Sequence, residues 1–183
     1  METITTEAEE KRYAELQLRA LDYARTGETE MLGDMIRHGL PMNLADAKGN
    51  SLLMLASYHQ NPATVRMLLE SGAQVDRRNH RGQTPLGGAA FKGYEDIVSL
   101  LLDSGADVDA DNGAGMTPLM FAAMFGRTQV VSQLKNQGAS LRRRNRLGIS
   151  ANFMVRVARG LAHLFHRKPM TVNPVSPPRI YEN

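Results

Sequence analysis

Hydrophobic positions along this chain fall into short runs of helical spacing, separated by polar, glycine-containing breaks. Leu86, Ala89 and Ala90 place small and apolar groups on one side of a predicted helix. Thr84-Pro85 reads as its start: a hydroxyl oxygen to cap, then a proline at the first helical position, where its missing N–H costs nothing. Thr117-Pro118 repeats that start further along the chain. Gly93 and Gly126 are predicted to end these helices, where a left-handed residue is wanted. Ile97, Val98, Leu100, Leu101 and Leu102 then form the apolar side of a second helix, which Gly105 stops. The run Ala106-Asp-Val-Asp-Ala110 leads into a predicted hairpin with Asn112-Gly113 at its turn. The predicted unit is two short helices and a finger. It buries too little apolar surface alone, so neighbouring units must stack.

The markers return at a fixed interval. Gly39, Gly72, Gly105 and Gly138 lie 33 residues apart, as do Gly49, Gly82, Gly115 and Gly148, and Asp46, Asn79, Asn112 and Asn145. Three interleaved series with one period identify an internal repeat. Gly82-Gln-Thr-Pro-Leu-Gly-Gly-Ala-Ala90 and Gly115-Met-Thr-Pro-Leu-Met-Phe-Ala-Ala123 resemble the ankyrin repeat, whose units carry G-x-T-P-L-H-x-A-A. Leu68-Leu-Glu-Ser-Gly-Ala-Gln-Val-Asp76 and Leu100-Leu-Leu-Asp-Ser-Gly-Ala-Asp-Val-Asp109 resemble that family's L-L-x-x-G-A-x-V-N. The likeness is strongest over 46–141 and weaker over 13–45 and 142–167. It implies an all-α repeat solenoid of about five helix-turn-helix units with β-hairpin fingers, two of the units being atypical caps.

On this reading residues 1–12 are an acidic N-terminal segment and 13–167 the repeat domain, divided at about 13–45, 46–78, 79–111, 112–143 and 144–167. The first unit lacks the Thr-Pro-Leu start, and the last replaces it with Ser150-Ala-Asn-Phe-Met-Val-Arg156; both read as caps. Residues 168–183 hold four prolines and are expected to be extended. The histidine that the family places after Thr-Pro-Leu is Met54, Gly87 and Met120 here, so its usual hydrogen bonds are expected to be missing. Gly87-Gly88 within a helix adds a cost of roughly 1 kcal/mol per glycine relative to alanine. The central repeat is therefore expected to be less stable than the family average.

Composition narrows the class. Of the 183 residues, 42% are hydrophobic and 22% charged, as suits a soluble folded chain. No apolar run approaches the roughly 20 residues needed to cross a bilayer. The start, Met1-Glu-Thr-Ile-Thr-Thr-Glu-Ala-Glu-Glu10, lacks the apolar core of a secretory signal. The absence of cysteine excludes disulfides, zinc–thiolate sites and thiol nucleophiles. A cytoplasmic location is the expectation. The net charge of +3 conceals an asymmetry: residues 1–111 hold 18 acidic and 11 basic side chains, whereas 112–181 hold 11 basic and no acidic ones. Such a field steers an acidic partner or favours head-to-tail contacts between copies of an otherwise monomeric chain.

No catalytic constellation emerges, and no enzyme activity or cofactor is expected. Asp107-Val-Asp-Ala-Asp111 has the spacing of a calcium loop, but Asn112 and Pro118 stand where that loop needs glycine and glutamate. His163 and His166 share a possible helix face without a carboxylate nearby in sequence, and read as solvated. Most of the eleven methionines, such as Met31, Met35 and Met67, sit where a helix needs a core residue.

The resemblance implies a partner-binding face made of the fingers and the exposed side of the first helices. Carried over by position, that face holds Tyr58-His59, Phe91-Lys92 and Met124-Phe125. Its finger positions include Ala47, Lys48, His80, Arg81, Gln83, Ala114, Met116, Arg146 and Leu147, with Arg78 and Arg144 beside the turns. Tyr58, Phe91 and Met124, like His59, Lys92 and Phe125, are 33 apart and are expected to form two parallel rows. Packing beneath the fingers is the plainer role for them. The run Arg142-Arg-Arg-Asn-Arg146 reads either as a solvated capping face or as a contact for an acidic partner or nucleic acid. Phe153, Val157, Leu161, Leu164 and Phe165 with Arg156, Arg159, Arg167 and Lys168 also make a basic amphipathic stretch. The functional expectation is a protein-binding adaptor, scaffold or inhibitor whose partner has an acidic surface. Nucleic-acid binding through the basic C-terminal third is the alternative.

Overall fold

A computed structural model describes residues 6–165. The helices among them are α1 (Glu7–Thr26), α2 (Thr29–Arg37), α3 (Leu52–Tyr58), α4 (Pro62–Glu70), α5 (Pro85–Lys92), α6 (Glu95–Asp103), α7 (Pro118–Met124), α8 (Thr128–Asn136) and α9 (Ala151–Phe165). Helices α1, α3, α5, α7 and α9 pack in succession as one layer, and α2, α4, α6 and α8 form a second. The chain is an all-α repeat solenoid. Its core consists of columns at the repeat interval. Ala20, Leu53, Leu86 and Leu119 come from the first layer, and Leu32, Val65, Val98 and Val131 from the second, all of them buried. Each fully buried leucine or valine contributes roughly 1.5–3 kcal/mol by leaving water, and the columns form only when units stack.

The helix starts follow the sequence. Ser51, Thr84 and Thr117 accept the backbone N–H of Met54, Gly87 and Met120. Thr6 and Glu9 form a reciprocal capping box, so α1 begins at Glu7, inside the segment expected to precede the array. First-layer helices are followed by left-handed residues at the repeat interval: Gly27 (φ 85°), Gly93 (φ 86°) and Gly126 (φ 65°), with Gln60 (φ 60°) taking the same backbone. Over the described residues the expected C-terminal cap is a single helix of 15 residues, which buries Ala151 and Val155 and exposes Phe153 and Val157. Met35 and Met67 pack against the core, but Met31 is exposed, because α2 turns Leu32 and Gly33 inward instead. Among the described residues no helix is long and apolar enough to cross a membrane. The expectations for the side chains of residues 161–165, His163 included, and for residues 166–183 lie outside what is described.

The fingers are short loops. Among the described residues they carry isolated antiparallel bridges, Ala45–Ser51 and Arg144–Ser150, and no longer strands. The backbone N–H groups of Asp46, Asn79, Asn112 and Asn145 donate to the carbonyls of Asn50, Gln83, Met116 and Ile149. In three fingers the same residue's side chain also accepts from the N–H groups two and four positions on: Asp46 from Lys48 and Asn50, Asn79 from Arg81 and Gln83, Asn145 from Leu147 and Ile149. The third finger differs. There Asp111, one residue earlier, takes the N–H groups of Gly113 and Gly115. Met116, expected on the exposed finger, is consequently buried.

Asn112 is thereby released to point inward. Its Oδ1 accepts from the backbone N–H of Thr84 (2.7 Å) and from Thr84 Oγ1 (3.0 Å), and its Nδ2 donates to the Ala110 carbonyl (2.9 Å). A methyl group built on Gly87 would lie 1.9 Å from that Oδ1. The hydrogen bonds expected to be missing at position 87 are thus replaced by a buried asparagine clasp from the next unit, and Gly87 is the residue that leaves room for it. The fingers are also linked edge to edge: His80 N–H donates to the Lys48 carbonyl (3.0 Å) and Arg146 N–H to that of Ala114 (2.8 Å). The equivalent N–H between the second and third fingers, that of Gly113, is the one taken by Asp111.

Candidate binding groove

A groove of about 650 Å³ lies between the fingers and the C-terminal ends of α3, α5 and α7. The capped starts of these helices fix their rotation, and a left-handed residue at one register, Gln60, Gly93 or Gly126, follows each. Tyr58, Phe91 and Met124 therefore fall in the last turn of three successive helices and all line the groove. His59 and Phe125 line it from the following position.

The side chains divide into two zones. At the C-terminal end Phe91 packs edge-to-face against Phe125 (centroids 4.4 Å, 68°) and against Phe121 (6.5 Å, 89°), with Met124 alongside in the groove lining. Met124 is 54% exposed and Phe125 43%, so this apolar cluster faces solvent. At the other end the lining is polar, and its charged groups are Arg25, Lys48 and Arg81, with one carboxylate, Asp46. Arg25 lies 3.4 Å from that carboxylate and also pairs with Asp22. Between the zones the Lys92 ammonium sits 4.7 Å from the centre of the Tyr58 ring, a cation–π contact that joins the two expected rows.

The local field is read by two titratable groups. His59 is held below its ordinary value by partial burial and by the positive charges of Arg25 and Lys92, and is neutral at pH 7. Burial alone would raise the Asp46 carboxyl. Hydrogen bonds from the Asn50 side chain and backbone and from Lys48 N–H, with the Arg25 charge, outweigh it and leave Asp46 below its ordinary value.

Of the residues singled out from sequence, the structure brings Tyr58, His59, Arg81, Phe91, Met124 and Phe125 together in the groove lining, with Lys92 against Tyr58. It places the others elsewhere. Arg78 and His80 are exposed on the second finger, and the His80 ring lies over Gly49. Arg144 is also outside the lining, donating through Nη1 to the Gly148 carbonyl within its own finger, and Arg146 is exposed there with its N–H on Ala114. Sequence reasoning missed Arg25 and Phe121. The repeat interval carries a signal for both: Arg25 is one period before Tyr58, and Phe121 follows Leu55 and Gly88 at the same spacing. Among the described residues no three His, Asp or Glu side chains converge as metal ligands.

Comparison with known proteins agrees with this architecture. A family model of three ankyrin repeats matches residues 21–112, and a single ankyrin repeat matches 114–146. An ankyrin repeat protein of Pseudomonas aeruginosa is 52% identical over 46 residues, which cover 25% of this chain and 27% of that protein. Protein phosphatase 1 regulatory subunit 27 of Mus musculus is 35% identical over 78 residues, 42% of this chain and 51% of the subunit. The potassium channel AKT1 of Arabidopsis thaliana is 35% identical over 74 residues, 40% of this chain and only 9% of the channel. The chain thus spans about half or less of the length of these relatives. With matching repeat models over most of its helices and the solenoid they specify, the chain belongs to the ankyrin repeat family, whose repeats generally mediate protein–protein interaction.

Proposed function

We propose that the groove is the docking surface for another protein, and that the chain works without catalysis as an adaptor, scaffold or inhibitor. The observation that carries this reading is the solvent-facing cluster of Phe91, Phe121, Met124 and Phe125 on a groove held by capped helices. Large apolar side chains on a preformed surface suit partner binding, because little ordering is needed when the partner arrives. Occupying a partner's surface then either recruits or blocks it. A mammalian phosphatase regulatory subunit among the relatives is consistent with such a role. On this reading the molecule acts in the cytoplasm as a monomer, and light scattering at low and high salt tests for charge-driven association.

The test is affinity capture from source-cell lysate, with and without nuclease. The native chain is run beside Phe91→Ala/Phe125→Ala and beside Met124→Glu, whose position is exposed enough to spare the fold. A protein retained by the native chain and lost from both variants supports the groove. Retention by both variants, followed by loss with nuclease or salt, moves the function to Arg142–Arg146.

A further inference from the structure

The charge of the groove runs opposite to the charge of the chain. The N-terminal 111 residues carry a net −7, yet within the groove that half supplies Arg25, Lys48 and Arg81, with Lys92 at the rim. The basic C-terminal third supplies none of the groove's cations; its part of the lining is Phe121, Met124 and Phe125. Asp46 offsets only part of the charge: it is one carboxylate among three cations of the lining, and its ion pair is with Arg25, which also holds Asp22. Lys48 and Arg81 stand one period apart on neighbouring fingers that are hydrogen-bonded to each other, so their spacing is fixed.

We infer that the groove takes a short acidic protein segment carrying a bulky apolar residue, its carboxylates on Lys48 and Arg81 and its apolar side chain on Phe91, Phe121 and Met124. This rests on the groove being a protein-docking surface, as proposed above. Charge complementarity names the acidic part, and the exposed apolar cluster names the anchor. The volume, about 650 Å³, is that of a cleft for a few side chains. A nucleic-acid strand fits less well. Phe121 and Phe125 both pack edge-to-face on Phe91, which breaks up any row of flat faces for bases, and the Asp46 carboxylate lies among the cations.

Selection of random displayed peptides on the full-length native chain tests the inference. The expected winners combine an acidic cluster with an aromatic or large aliphatic residue. A synthetic winner should bind about tenfold or more weakly to Lys48→Glu/Arg81→Glu and to Phe121→Ala, both checked for native-like melting. Changing its acids to lysine should restore binding to the charge-reversed variant. Winners without acidic residues overturn the inference; if Met124→Glu still abolishes them, the groove remains a docking surface. Winners indifferent to all three variants overturn both readings. An empty selection, or an oligothymidine strand that displaces the winners and binds regardless of Phe121→Ala, also overturns it, the latter in favour of a polyanion.

Discussion

The middle unit and its two neighbours fill the same space with different parts of the chain. In the neighbours Met54 and Met120 are buried by their own side chains, while Asn79 and Asn145 stay in their fingers. In the middle unit Gly87 presents no side chain, and Asn112, 25 residues further on, enters from the next unit to cap Thr84. The period preserves the backbone, as the matching finger bonds from Asp46 to Asn145 show, and leaves open which segment supplies the filling atoms. A glycine in such a helix therefore cannot be judged by helix propensity alone.

The sharpest way to break this contrast is Asn112→Ala. It leaves the buried Thr84 N–H without its acceptor and opens a void beside Gly87, and should cost about 2–3 kcal/mol in urea unfolding. Asn79→Ala, in a partly exposed finger, should cost about 1 kcal/mol. Equal losses would erase the distinction between the units. Gly87→Ala comes next. Its methyl must displace the Asn112 amide, a loss of about 2–3 kcal/mol that outweighs the roughly 1 kcal/mol gained in helix propensity. The net loss of about 1–2 kcal/mol should shrink when Asn112 is already alanine, and a double-mutant cycle would measure that coupling.

Gly88→Ala should act with the opposite sign. A methyl there meets Tyr58 Cδ2 at an ordinary 3.6 Å, so stability should rise by up to about 1 kcal/mol, read as a higher melting temperature. The smallest effect separates the first finger from the asparagine fingers by pH. Asp46 titrates below its ordinary 3.8, so its stabilising contribution is complete above 3.8 and is lost as pH falls through the lower folded value. His59, depressed below 6.5, also loses stability on acidification, but in a window that opens as pH drops below 6.5. Melting of native, Asp46→Asn and His59→Gln chains along a pH series should remove one window in each variant.

The solenoid was legible because its signals are backbone requirements: Thr84-Pro85 and Thr117-Pro118 to start helices, Gly93 and Gly126 to end them. The row of Tyr58, Phe91 and Met124 was legible for the same reason, as positions in the last turns of helices at one period. Arg25 continues that row but sits in a unit without the Thr-Pro-Leu start, so the motif did not lead to it. Phe121 follows a leucine and a glycine in its series, which reads as core. That Arg144 and Arg146 lie outside the groove lining was not legible, because a run of charge says nothing about how far along the stack its finger lies, or about the Gly148 carbonyl that Arg144 holds. The inward turn of Asn112 was hidden most deeply. Asp111 and Asn112 are both able to close the finger, and the space at Gly87 that receives Asn112 lies in another unit.

The finger edge has its own mechanics. A stack of units in series opens where its links are weakest. His80 and Arg146 each latch a finger to the one before it, whereas between these latched pairs the Gly113 amide is diverted to Asp111. That edge therefore behaves as two stiff tiles joined by a single clasp, Asn112 on Thr84, and not as four equal slats. When it frays, it should part at that joint, with the amides of His80 and Arg146 exchanging together with their own tiles and that of Thr84, which is bonded across the joint, exchanging ahead of both.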